Sequence, residues 1–599
     1  MLTSVPDRLA ALRTTMRRDG IDALCIPAAD PHLSEYLPAH WQARQWYSGF
    51  DGSAGSLVVT ADEAALWTDS RYFAQAGQQL AGSGIALVKQ GLADSIEQVE
   101  WLLARLGAGQ IVAVAGDSIA LAAQRHLHDA LRTHGVTLRI DLDLAGEAWS
   151  GRPPLPAAPV VAHDPKYVDQ SRAGKLARLR EAMHAQGASW HLLSSLDDIA
   201  WLLNLRGSDV ECNPVFLAHL LVDDAAQATL FVGTGKIGAD VQAALAADGV
   251  MLADYAAIGP ALHALTVPTS ILFDAARVAS AVVACIPPQV RCIEAANPST
   301  ACKAIKSPVE IDHIRQVMRR DGAALVRAFS RLEQRLAAGI ATSELDVDTL
   351  LHEERARQPA WVGESFATIA AYQASAALPH YRATPEQHRQ LQRRGLLLVD
   401  SGGQYLGGTT DITRVLALGE TTPEQRRDAT IVLKGMIALS RAHFPEGASG
   451  PQLDALARTP LWEWGVDYGH GTGHGVGYFL NVHEGPHGIR PPRPGVALVP
   501  LQEGMITSIE PGLYKPGRHG IRHENLAVVV PAQRTEFGAF LAFETLTLCP
   551  FDRRALEPAL LGEEERAWLN DYHMTVRAAL APLLEGDALA WLDTHCTPL

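Results

Sequence analysis

Asp400, Asp411, His474, Glu510 and Glu524 are residue types that bind divalent metals, and each lies in a short segment marked by glycine, proline or threonine in the last third of the chain. The segments are LLLVDSGGQYLGGTTDITR, DYGHGTGHGVGYFLNVHEGP, SIEPGLY and GIRHENL. They offer four carboxylates and one imidazole, and no cysteine. Carboxylates brought within a few ångströms of one another oppose each other's ionisation, so a gathered set requires positive charge among them. Two divalent cations balance four carboxylates, and carboxylates bridge paired ions readily. The count therefore favours a dinuclear site. An oxygen-rich donor set with one imidazole suits Mn²⁺, Co²⁺ or Zn²⁺, with manganese preferred, and argues against an iron–sulfur cluster, a cysteine-rich structural zinc or Cu(I).

The elements that must position these residues are legible nearby. LLLV before Asp400 is a short apolar strand, GGQYLGG a turn, and ITRVLAL after Asp411 a strand of alternating polarity. That hairpin would place Asp400 at the end of one strand and Asp411 at the start of its neighbour. Gly469, Gly471, Gly473, Gly475 and Gly477 around His474 permit tight backbone turns, and helical periodicity is absent there. Glu510 and Glu524 flank β-type residues and are expected on strands of the same sheet. Taken singly, an Asp-Ser-Gly-Gly is an ordinary turn and a Glu before Pro-Gly an ordinary strand end; the specificity lies in the ordered combination.

The order Asp, Asp, His, Glu, Glu in these segments resembles the pita-bread metallopeptidases, which include methionine aminopeptidase, prolidase and aminopeptidase P. HYRAT at His380, GHGTGHGVG, FLNVHEGP with His483, and GIRHEN are most similar to the large three-domain aminopeptidase P, or Xaa-Pro aminopeptidase. SGFDGSAG, LWTDSRYF, DDIAWLLNLRGSDVECNPVF and ERAWLNDYH extend the resemblance over nearly the whole chain. Pro379 before His380, and His523 where many relatives carry an aliphatic residue, depart from the pattern without removing a ligand.

The resemblance implies an α/β (α+β) protein, with two creatinase-like N-terminal α/β domains followed by a pita-bread catalytic domain. It implies removal of the first residue from peptides with proline second, by a water or hydroxide held between two metals. Glu510 would also be the general base and acid, while His380 and His483 would hydrogen-bond the substrate carbonyls and the charge that develops on them. His470 would line the proline pocket. Arg522 and Tyr514 are candidates for the substrate side of the site and for orienting the metal carboxylates. His487 and His523 receive no role. The resemblance further implies a homodimer.

Composition bounds the alternatives. The chain has 599 residues, too many for one ordinary core. Its formal net charge of −15 argues against duplex nucleic acid as a partner, because phosphate binding needs a basic surface. No run approaches the ~20 apolar residues that cross a bilayer, and MLTSVPDRLAALRTTMRRDG lacks the apolar centre of a secretory leader. A soluble, cytoplasmic protein is expected. Seven cysteines without CxxC spacing read as reduced thiols. GFDGSAG lacks the Lys-Ser/Thr of a phosphate loop and reads as a tight turn.

Leu9, Leu12, Met16 and Gly20 recur as Leu176, Leu179, Met183 and Gly187, each 167 residues later, in two amphipathic helices closed by glycine. Strand and hairpin patterns follow in both copies, so the front half reads as an internal duplication. WSGRPPLPAAPVV is the first linker, and Ser307, Pro308 and Glu310 start a long helix with a capping box. The expected domains are 1–152, 153–302 and 303–599, the last with a helical tail after about residue 562. Trp462 and Trp464 are expected in the core rather than at an interface. Prolidase, preferring dipeptides, is the nearest rival; a binding protein on the same fold would be expected to have lost ligands.

Overall fold

The computed structural model describes residues 4–92, 94–492 and 496–599; residues 1–3, part of the N-terminal segment discussed above, lie outside them. The chain divides into two compact units. One comprises Met1–His163 with Gln170–Thr300, the other Asp164–Asp169 with Ala301–Leu599.

The first unit contains two six-stranded sheets built to one plan. Numbering the strands of each copy from its own start, both sheets run fourth, third, second, first, fifth, sixth. In each, the first strand pairs antiparallel with the second and parallel with the fifth. The preceding helices, Val5–Arg18 and Arg172–Ala185, begin and end 167 residues apart. Each buries the same leucine, leucine, methionine stripe, and each is followed by a glycine at positive φ, Gly20 and Gly187. The duplication expected from the sequence is present in the topology.

The second unit opens with a 30-residue helix, Pro308–Ala337. The capping box forms as expected: Ser307 Oγ accepts from the Glu310 amide at 3.2 Å, and Glu310 Oε2 accepts from the Ser307 amide at 2.9 Å. Its buried face, including Leu325, Val326, Phe329 and Leu332, packs into a core shared with the helices Glu344–Ala356, Pro423–Ser440 and Glu563–Leu580. Two sheets carry the residues of interest: a three-stranded one of Ile369–Tyr372, Leu396–Ser401 and Ile412–Ala417, and a six-stranded one that includes Gly473–Gly475, Glu484–Ile489, Ile506–Ile509 and Asn525–Thr535.

Three expectations need correction. GGQYLGG is not a simple turn: Gly403–Tyr405 and Gly408–Thr409 pair as a small hairpin of their own. The metal-type residues do not share one sheet. Asp400 lies in, and Asp411 just before, strands of the three-stranded sheet, whereas His474 lies in, Glu510 just after and Glu524 just before strands of the six-stranded one. Trp462 and Trp464 are 49% and 48% exposed: Trp462 ends a helix whose buried face is formed by Leu453, Ala457 and Leu461, spaced four apart, and Trp464 lies in the turn that follows. Among the described residues, no helix is long and apolar enough to cross a membrane.

Gly322 sits inside the long helix, where alanine is ordinarily better by about 1 kcal/mol. A Cβ there would lie 2.1 Å from the carbonyl oxygen of Leu548. Gly322→Ala should therefore destabilise the protein, by about 1–3 kcal/mol from overpacking, when compared with wild type by denaturant unfolding. A stabilised variant would contradict the close approach.

Candidate active site

The hairpin places the two aspartates as anticipated. Asp400 is next to last in Leu396–Ser401 and lies opposite Thr413, while Asp411 immediately precedes Ile412–Ala417. On the other sheet, Ile509 pairs with Asn525, so Glu510 and Glu524 stand at adjacent strand ends. The Glu524 amide donates to the Thr413 carbonyl at 3.2 Å and links the two sheets. Arg414 fastens the same junction from behind. Only 1% exposed, it donates to the carbonyls of Thr413, Glu524 and Cys549 and to Asn525 Oδ1, and stacks 3.9 Å from the Phe551 ring centre.

All five residues converge. His474 Nε2 lies 3.5 Å from Asp411 Oδ2 and 3.4 Å from Glu510 Oε1. Ligand atoms of Asp411, His474 and Glu524 lie within 4.8 Å of one another. His474 Nδ1 is 2.9 Å from the Gly475 carbonyl, so the proton belongs on Nδ1 and the Nε2 lone pair faces the acids, as a metal-binding imidazole requires. Asp400 Oδ1 and Glu524 Oε1 are buried and find no hydrogen-bond partner among the described residues. Orphaned buried carboxylate oxygens are costly. Here they point to cations as their partners, and the donor set fits divalent metals.

The electrostatics agree. Burial, then repulsion from Asp400 and Glu510, pushes the Asp411 carboxyl far above the usual range. Burial, then Asp411, Glu510 and Asp400, does the same to Glu524. Burial raises Glu510 to about 7, partly relieved by Arg522. Burial disfavours the charge on Arg522, but Tyr514, Asp400 and Glu510 outweigh it and hold the guanidinium protonated.

Arg522 and Tyr514 lie behind the acids. Arg522 Nη2 donates to Asp400 Oδ2, Nε to Thr413 Oγ1 at 3.1 Å, and Nη1 to Tyr514 Oη at 2.7 Å and to the Pro379 carbonyl at 3.3 Å. The Tyr514 hydroxyl is then free to donate to His470 Nε2, 2.8 Å away. His470 Nδ1 sits 2.7 Å from the Gly471 carbonyl, which fixes its proton there. His470 is thus connected through Tyr514 and Arg522 to Asp400. Pro379, the departure noted in the sequence, supplies the carbonyl that ties the His380 turn to Arg522. The His483 ring centre lies 4.3 Å from that of His474, edge to face.

His487 and His523 are core residues. Burial pushes them down to about 4 and about 3, so both are neutral; His523 packs edge-on against Phe551 at 5.5 Å. Sequence reasoning missed Thr413, whose Oγ1 donates to Glu524 Oε2 at 2.9 Å, and Ser508, whose Oγ accepts from the His474 amide at 2.9 Å and donates to Glu510 Oε1 at 3.3 Å. Thr413 stands two residues after Asp411 and Ser508 two before Glu510, a spacing available in the sequence.

Comparison with known proteins accords with this geometry. Metallopeptidase family M24 matches residues 312–531 and the C-terminal region of peptidase M24 residues 539–599. Creatinase/prolidase N-terminal domains match residues 8–140 and 151–310. A probable Xaa-Pro aminopeptidase P from Sordaria macrospora is 38% identical with both chains fully covered, and one from Laccaria bicolor is 39% identical over 99% of this chain and 93% of its own. The solved X-prolyl aminopeptidase of Caenorhabditis elegans, described as a cytosolic enzyme with a di-nuclear active site, superposes with a TM-score of 0.95 at 34% identity, both chains fully covered. The chain belongs to the aminopeptidase P group of metallopeptidase family M24, with two creatinase-type domains ahead of a pita-bread catalytic domain.

An acid raised from 4.5 to about 7 holds its proton more tightly when folded. Glu510 therefore favours the folded state at low pH, and that contribution is lost as pH rises from its unfolded value through about 7. Chelator-treated protein should lose about 3 kcal/mol across this window from Glu510 alone, and Glu510→Gln should flatten the slope. Urea denaturation at several pH values checks this, and identical slopes would refute it.

Proposed function

We propose that the protein is an Xaa-Pro aminopeptidase: it hydrolyses the bond between the first residue of a peptide and a proline in second position. The observation that carries this proposal is the convergence of Asp411, His474, Glu510 and Glu524, with orphaned oxygens on Asp400 and Glu524, in a chain similar throughout to Xaa-Pro aminopeptidases. Asp400, Asp411, His474, Glu510 and Glu524 would hold two divalent cations, manganese ahead of cobalt or zinc. When bound, these ions polarise the scissile carbonyl and acidify the attacking water.

The chain's own groups do the rest. Glu510 accepts the proton of the attacking water and returns it to the proline nitrogen as the bond breaks. His483 and His380 hydrogen-bond the substrate carbonyls, including the oxygen on which negative charge develops. His470, held in one tautomer by Tyr514 and Gly471, faces the proline ring. Arg522 and Tyr514, proposed from the sequence at the substrate side, serve here by orienting Asp400 and His470. We assign domain limits at 1–152, 153–302 and 303–599, a cytoplasmic location, and a homodimer for which exposed Trp462 and Trp464 provide aromatic surface.

Metal-loaded protein should release the first residue from Xaa-Pro-Xaa peptides, spare Xaa-Ala-Xaa peptides, and fall silent with chelator. Faster cleavage of Xaa-Pro dipeptides would make it a prolidase, and no chelator-sensitive release from any of them would end the enzyme assignment. Asp400→Asn should lower the metal bound per chain in elemental analysis, and unchanged metal content would refute Asp400 as a ligand.

A further inference from the structure

Beside His483 lies a buried cluster of charge that no step above uses. Glu484, the next residue, opens the strand Glu484–Ile489. Its side chain is fully buried, with Oε2 accepting from Lys303 Nζ at 3.0 Å and Oε1 from Lys306 Nζ. Both lysine side chains are at most 1% exposed. Two ammonium groups on one carboxylate, all out of water, form an expensive arrangement; apolar residues of similar volume commonly give equal or greater stability. Stability alone does not account for it.

Its position does. Glu484 lies opposite Gly475, the neighbour of His474, and the approach is so close that a Cβ on Gly475 would fall 2.2 Å from the Glu484 carbonyl oxygen. Lys306 is itself pinned, its amide donating to the Gly504 carbonyl at 2.9 Å, next to the bridge between Ile305 and Met505 on the segment leading to Ile506–Ile509 and Glu510. The lysines therefore hold Glu484 from a part of the chain already fixed to the strand that delivers Glu510. We infer that Glu484, clamped between Lys303 and Lys306, is a positioning residue that sets where the His483 imidazole stands relative to His474 and the substrate carbonyl. Charge-assisted hydrogen bonds to both carboxylate oxygens define the start of the strand in two directions, which an apolar contact would not.

This inference rests on the peptidase proposal, and its test separates the two. Lys306→Met leaves a balanced Lys303–Glu484 pair, so the variant should fold. With Xaa-Pro-Xaa peptides its kcat should fall about 10- to 100-fold, the scale of lost support behind a site residue. KM should change little, bound metal should match wild type, and the His483 ring should be displaced in a crystal structure of the variant. A kcat within about twofold of wild type, with the ring unmoved, overturns the inference. A triple variant, K303M with K306M and E484M, removes all three of these charges. If it melts like wild type but stays slow, the clamp positions; if kcat returns with the melting temperature, the clamp only stabilises and the inference falls. Should wild-type protein cleave none of the peptides, the peptidase proposal fails, and the position of the His483 ring in K306M then decides this one.

Discussion

Mutual repulsion among Asp400, Asp411, Glu510 and Glu524 is the constraint around which the second unit is organised. A fold that gathers four acids beside one imidazole must supply opposing charge or accept protonation, and this one does both. Arg522 is spent wholly within the site, on Asp400, Thr413, Tyr514 and the Pro379 carbonyl, and burial with mutual repulsion pushes Asp411 and Glu524 well above the usual carboxylate range, toward the protonated form. The remaining imbalance is what two divalent ions would correct. Much of the surrounding polar structure follows from this. Thr413 and Ser508 fix individual carboxylate oxygens, and the Gly475 carbonyl fixes the tautomer of His474.

The acids reach one another only because two sheets meet, the edge strand Ile412–Ala417 of one against the start of Asn525–Thr535 in the other. Arg414 is the fastener: a fully buried cation satisfied chiefly by backbone carbonyls from both sides of the junction. A guanidinium suits this task because its donors form a rigid planar fork. Its charge also helps to keep neighbouring His523 neutral. An imidazole beside a metal-type glutamate is thereby reduced to packing.

What the sequence disclosed followed physical range. The Asp400–Asp411 hairpin was legible because LLLV and ITRVLAL carry their own period, and the helix at Pro308 because its cap is written within four residues. The duplication was legible because a leucine, leucine, methionine stripe repeats intact. The division of the metal-type residues between two sheets was not legible, since no local pattern states which distant strand will be the neighbour. Trp462 is exposed because the four-residue spacing of Leu453, Ala457 and Leu461 turns a different face of its helix inward, and Trp464 lies in the turn beyond the helix end. Lys303 and Lys306 escaped notice for a simpler reason: lysine is ordinarily a solvated residue.

The two-sheet construction also bears on how the site comes into being. Asp400 and Glu524 are separated by a long stretch of chain, and neither sheet alone presents more than part of the ligand set. During synthesis the nascent chain would therefore hold no complete ligand set until the strand following Glu524 had emerged and docked, a long-range contact of the kind that forms late. Capture of an ion by a half-made site would be limited, and metallation would report finished folding. Once in place, the ions would bind only the docked arrangement and so add their binding energy to it. The centre would then act as a clasp between sheets as well as a reaction site, and prolonged metal scarcity would surface first as loosening of that seam.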